Sequence, residues 1–151
     1  MRVYFNTSAL NRPLDNPASE RVRIEAEAVE ALRAAVEDGV VDWIGSEYLD
    51  FEVEQDPDDE RVQRVRSLLA LARTRVPASD VVGGRARTLE RLGWRGLDAL
   101  HVASAEAGGA ELLVTTDDRM IKRAAGAKAN LRVRLVTPPE AVSLLPRRPH
   151  Q

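Results

Sequence analysis

The apolar residues of this chain come in runs of four to six, each followed by polar or turn-forming residues and then by a stretch with helical spacing. Runs of that length are too short to cross a bilayer. Alternating with amphipathic helices, they predict a parallel sheet covered on both faces, because each connection between parallel strands must carry the chain back over the sheet. Strands are expected at residues 2–5, 40–44, 75–77, 111–114 and 131–136. A helix is expected over 20–37, where Val22, Ile24, Ala28, Val29, Leu32 and Val36 approximate one face and Asp38-Gly39 closes the segment. Further helices should run from a Ser46 cap to about residue 53, and from Asp56 as cap with Pro57 as first residue through Val62, Val65, Leu68, Leu69 and Ala72. Others should span 79 or 80 to 92, 97 to 107 ahead of Gly108-Gly109, and 117 to 125, with a short one opened by Pro138-Pro139.

With 151 residues and no long linker, the chain reads as one domain over residues 1–145 followed by a Pro/Arg tail, 146–151, expected to be disordered. The absence of Cys excludes disulfides, zinc–thiolate sites and thiol nucleophiles, leaving oxygen-ligated Mg²⁺ as the natural metal chemistry. No charged-then-apolar leader opens the sequence, so no membrane association is expected and the cytoplasm is the expected compartment.

The net charge of −2 conceals an asymmetry. Residues 1–60 carry 16 acids against 5 Arg, whereas residues 61–95 carry 9 Arg against Asp80 and Glu90. An Arg-rich segment beside an acidic pocket suits a phosphate-bearing substrate, although Arg side chains also simply decorate solvated helix faces.

Four residues stand where such a sheet would gather them. Asn6 and Asp117 follow strands, Asp98 opens a helix, and Glu52 lies six residues past Ser46. In a doubly wound sheet the first and fourth strands can be neighbours, which would place all four in one cleft at the carboxyl ends of the strands. Convergent oxygen ligands of this kind hold the metal ions that hydrolyse phosphodiesters. Each residue also has a plain structural reading. Asp98 is an ordinary first-turn acid favoured by the helix dipole, Asp117 an N-cap, and Glu52 one of several acids with Asp50, Glu54 and Asp56.

Several blocks together resemble the PIN domain family of VapC-like toxin ribonucleases: residues 3–13 from Val3 to Pro13, Ser46 followed by Glu52, 97–105 from Leu97 to Ala105, and 113–118 from Leu113 to Asp118. The resemblance implies a three-layer α/β/α sandwich with a central parallel sheet, a Mg²⁺- or Mn²⁺-dependent endoribonuclease site, RNA as substrate, an antitoxin partner and a homodimer. It places the catalytic and metal-binding positions on Asn6, Glu52, Asp98 and Asp117. Thr7 or Ser8 and Thr116 fall as supporting hydroxyls, and Asp118 as a possible aid to a second ion. His101 falls in the family's helix as a packing or supporting residue. The chain departs from the family at Asn6, where an aspartate is usual. An amide oxygen can coordinate a cation but brings no charge, so metal affinity and activation of water should both fall.

Three other readings compete with this one. An inactive PIN module that binds RNA or a protein is favoured by Asn6. A phosphoacceptor receiver would need a Lys after the last strand, where Thr137-Pro138 stands, and a haloacid-dehalogenase-like phosphatase would need an Asp at position 6. The segment from Arg61 to Arg95 is the expected RNA-facing surface.

Overall fold

In the computed structural model, residues 1–126 and 131–147 are described, and they build a five-stranded parallel sheet in the order β3-β2-β1-β4-β5. The strands are β1 (Arg2–Phe5), β2 (Asp42–Ser46), β3 (Thr74–Val76), β4 (Leu112–Val114) and β5 (Arg134–Val136). The helices are α1 (Thr7–Asn11), α2 (Glu20–Glu37), α3 (Glu47–Glu54), α4 (Asp59–Leu69), α5 (Asp80–Arg91), α6 (Gly96–Ala107), α7 (Asp118–Ala125) and α8 (Pro138–Ser143). A single 3₁₀ turn, Arg12–Leu14, follows α1.

The order of the strands explains their composition. β1 and β4 are neighbours in the middle of the sheet, with Tyr4 opposite Leu113 and Phe5 opposite Val114. Both are buried on two faces, so Val3, Tyr4, Phe5, Leu112, Leu113 and Val114 form apolar runs with no alternation. Successive side chains still leave β1 on opposite faces. Tyr4 meets His101 of α6 on one side, while Phe5 packs on Trp43 of β2 on the other, ring centroids 4.6 Å apart. Helix α5 packs on α6, which covers β2, β3 and β4, and α8 packs on both α2 and β4, completing the three-layer α/β/α sandwich.

The small residues of α6 allow its close seating. Ala99, Ala103, Ser104 and Ala105 are buried, and a Cβ at Gly108 would lie 2.5 Å from Ile44 Cγ2. Gly109 then turns the chain toward β4 with φ +71°, a left-handed conformation that favours glycine.

Several boundaries shift by one to three residues from the expectation, and three of the shifts have a clear local reason. The second strand starts at Asp42 rather than residue 40, because the N–H groups of Val40 and Val41 both bond Ala35 O and close α2. Asp56 does not cap α4. Its carboxylate accepts the Asp58 N–H at 2.9 Å in a turn around Pro57, and Asp58 is the cap, accepting from Arg61 N–H. The last strand starts at Arg134, where the Arg134 N–H reaches Glu111 O. Of the tail expected to be disordered, residues 148–151 lie outside the described residues.

Candidate functional site

The carboxyl ends of β1 and β4 are joined by a knot of polar side chains. Asn6 follows β1, is 5% exposed, and caps α1: its Oδ1 accepts the Ala9 N–H at 3.3 Å and the Ser8 hydroxyl at 2.8 Å. Its Nδ2 donates to Thr115 Oγ1 at 2.9 Å and reaches Met120 Sδ at 3.4 Å. Thr115 Oγ1 also accepts the Asp117 N–H, and Ser8 Oγ accepts the Thr116 N–H. Both ends of the Asn6 amide are thus engaged within the scaffold. Ser8 and Thr116 belong to the same knot.

Helix α3 supplies the second part. Ser46 is both the last residue of β2 and the N-cap of α3, accepting the Leu49 N–H at 3.0 Å. One face of the helix is neutralised, with Asp50 paired to Arg75 at 2.9 Å and Glu54 paired to Arg66. Among the described residues Glu52 has no such Arg partner; its Oε1 lies 3.4 Å from His101 Nε2. Burial raises the Glu52 carboxyl pKa, but His101 and the Thr7 hydroxyl outweigh it and hold the group below its ordinary value, so Glu52 is an anion. Among the described residues Thr7 Oγ1 is buried without a well-aligned partner of its own.

Helix α6 and the start of α7 complete the cleft. Asp98 lies in the first turn of α6, where the Arg95 cap position makes no side-chain bond. Its pKa is raised, first by burial and then by the charge of Asp117, with a smaller push from Glu52; His101 and Arg119 oppose these only in part. Asp117 caps α7, accepting the Arg119 N–H at 2.9 Å, and the Arg119 guanidinium lies 3.5 Å from its Oδ1. Asp118 turns away to Arg21 of α2, which takes both carboxylate oxygens at 2.7 and 2.9 Å and lowers its pKa. Asp15, another acid near the opening strand, is held by Arg12 and Arg61.

Asp98 therefore feels the charges of both Asp117 and Glu52, and Asn6 is tied to the Asp117 N–H through Thr115 Oγ1. Among the described residues no three acidic or imidazole side chains are close enough to enclose an ion as they stand. The donor set nevertheless fits a hard divalent cation. It offers carboxylate oxygens, the buried Thr7 hydroxyl beside Glu52, and an Asp98 carboxyl left reluctant to ionise by burial and then by the charge of Asp117.

The Arg-rich segment is more divided than the sequence suggests. Arg61 points inward and donates to Asn11 O, Asn11 Oδ1, Leu14 O and Asp15, so it holds the loop after α1. Arg64, Arg66, Arg75 and Arg85 pair with Glu60, Glu54, Asp50 and Glu106. Tyr4 sits inside an apolar strand, where its sequence context marks it as core. Its hydroxyl nonetheless joins Ser46 and His101, and the available signal was the one hydroxyl-bearing side chain in that run.

A family model described as PIN domain matches residues 4–127. Among curated proteins none matches the chain by sequence to significance. Among solved structures, a chain in the crystal structure of VapBC2 from Rickettsia felis, bound to a DNA fragment from their promoter, superposes with a TM-score of 0.56 at 16% identity. That alignment covers 91% of this chain and 98% of that one. A chain of FitAcB from Neisseria gonorrhoeae gives a TM-score of 0.56 at 18% identity, covering 90% and 97%.

Proposed function

The chain belongs to the PIN domain family, and from that premise we propose that it is a metal-dependent endoribonuclease, attenuated at Asn6, and the toxin of a toxin–antitoxin pair. The family's members are generally nucleases that use divalent metals. The observation that carries the reading is the half-buried Asp98 carboxyl, whose pKa is raised first by burial and then by the charges of Asp117 and Glu52, which brings carboxylates from three different elements into one another's reach near the carboxyl ends of the central strands. The VapBC2 and FitAcB structures share the fold and support the proposed pairing with an antitoxin. Homodimer formation and a cytoplasmic setting are proposed with it; among the described residues no helix is long and apolar enough to cross a membrane.

Glu52, Asp98 and Asp117 would hold Mg²⁺ or Mn²⁺, with the Asn6 amide oxygen at the edge of the site. When bound, the metal lowers the pKa of water and neutralises the charge that develops on a cleaved phosphodiester. The chain's own contribution is arrangement. Glu52 is kept ionised by His101 and Thr7, Asp117 is fixed by the α7 cap and by Thr115, and the Ser8 hydroxyl ties both strand ends together. The Arg-bearing surface between Arg61 and Arg95 is proposed to face RNA, through residues other than the inward-held Arg61. Charge reversal at Arg64 and Arg66 should then weaken RNA binding, and unchanged affinity would remove that assignment.

A second reading, a PIN module that binds RNA without cutting it, is favoured by the engagement of the Asn6 oxygen with Ser8 and Ala9. Both readings meet one experiment: cleavage of a mixed RNA pool by the protein and by Asn6→Asp, each with Mg²⁺, Mn²⁺ or EDTA. EDTA-sensitive cleavage by either protein supports the nuclease. Silence from both, with the fold intact, selects the binding module.

A further inference from the structure

We infer that His101 is a positioning residue for Glu52, held in place by a buried hydrogen-bonded chain that begins at Ser46 and passes through Tyr4. The inference rests on the proposed role of Glu52 as a cation ligand.

The chain can be followed atom by atom. Ser46 Oγ accepts the Leu49 N–H, so its own hydrogen is available to give. Tyr4 Oη lies 2.7 Å from Ser46 Oγ and 2.7 Å from His101 Nδ1. His101 Nε2 lies 3.4 Å from Glu52 Oε1, and among the described residues it has no well-aligned hydrogen-bond partner. Tyr4, Ser46 and His101 are each at most 1% exposed, so bulk water is not a substitute partner for any of them.

Only one ordering of hydrogens serves every atom of a neutral ring. Ser46 donates to the Tyr4 oxygen, Tyr4 donates to His101 Nδ1, and His101 carries its hydrogen on Nε2, the ring atom 3.4 Å from Glu52 Oε1. The reverse ordering would aim a nitrogen lone pair at an anion. Burial pushes the Tyr4 phenol well above its ordinary pKa, which keeps its hydrogen in place.

The chain also links the elements that carry the site. Tyr4 lies on β1 two residues before Asn6, Ser46 starts the helix that carries Glu52, and His101 is one turn after Asp98 on α6. A histidine serving only to fill the core would need no donor aimed at a carboxylate, and a buried Tyr–Ser–His chain is a costly filler compared with Leu or Phe. Outer hydrogen bonds of this kind orient carboxylate ligands, and their loss typically weakens metal affinity by roughly 10–100-fold.

The test is Mn²⁺ binding to the full chain by titration calorimetry, with thermal melts of every variant and ¹⁵N NMR of the histidine ring, of which the sequence has two. His101→Ala should weaken Mn²⁺ binding by roughly 10–100-fold. His101→Gln, whose amide N–H falls near the Nε2 position, should recover most of that loss, and His101→Asn should not. The ring spectrum should show hydrogen on Nε2, a preference that Tyr4→Phe should erode. Wild-type affinity in a folded His101→Ala, while Glu52→Gln still abolishes binding, would overturn the positioning role and leave the site reading standing. Unchanged binding in Glu52→Gln, or no Mn²⁺ bound by the unaltered chain, would overturn both. If His101→Ala does not fold, the spectrum decides: hydrogen on Nδ1 in the unaltered protein overturns the inference.

Discussion

The two rims of the sheet differ in what they do with charge. At the amino ends of β2 and β3 lies a cavity of about 440 Å³, lined in part by Val36, Val41, Trp43, Leu71 and Arg73. Its acids are matched: Glu37 pairs with Arg33 at 2.8 Å and Asp42 with Arg2 at 3.6 Å. At the carboxyl ends the half-buried Asp98 carboxyl feels the charges of Asp117 and Glu52, and His101 and Arg119 oppose them only in part. Concavity alone points to the rim opposite the proposed site. Unbalanced charge on converging elements is the better guide, because a fold keeps such a cluster only where something else is to neutralise it.

The contrast can be broken at several points. Asp98→Asn should reduce RNA cleavage by at least about 100-fold, the scale of removing one preorganised charged group from a site, as read from single-turnover cleavage with Mn²⁺. Full activity in that variant would erase the distinction between the rims. Trp43→Ala at the opposite rim should cost about 3–5 kcal/mol in denaturant unfolding, since the ring is 3% exposed and packs on Phe5, while Mn²⁺ affinity per folded molecule stays unchanged. Asn6→Asp should raise Mn²⁺ affinity by about tenfold through one added ligand charge, measured by calorimetry.

A smaller effect concerns stability. The folded Asp98 carboxyl holds its proton more readily than the unfolded one, so the stability it contributes is complete below the ordinary carboxylate range and is lost as the pH rises through its raised value. Asp98→Asn should therefore melt about 2 °C above the unaltered protein at pH 7 without metal, and the gap should close in acid, where Asp98 is protonated. An equal gap at both pH values would mean that ionisation of the buried, crowded Asp98 carboxyl is not its cause. Smallest of all, Arg64→Ala should change unfolding by under about 0.5 kcal/mol, because its pair with Glu60 is exposed at both ends.

The sheet was legible because short runs such as Leu112–Val114 have no other stable home than a strand buried on both faces, and caps such as Ser46 and Ser79 announce their helices through one side-chain bond each. Boundaries set by competition between neighbouring acids were not. Asp56 and Asp58 both satisfy the rule for a cap, and only the turn around Pro57 decides between them. The same limit applied to the site. Residues 50, 52 and 54 are chemically alike in the sequence, and the distinction arises from Arg75 and Arg66, which approach from other parts of the chain to cover Asp50 and Glu54. The position of Tyr4 among core residues hid its polar role, because a hydroxyl inside an apolar run shows its partners only when the helices are in place.

The polar knot around Asn6 has a genetic corollary. An aspartate could cap α1 as the amide does, and Thr115, whose hydroxyl can rotate, could donate where it now accepts. Codons for Asn and Asp differ by one base. Under the proposed function, the scaffold therefore lies a single transition away from a site with four carboxylates, and a gain or loss of potency there would need no rebuilding of the fold.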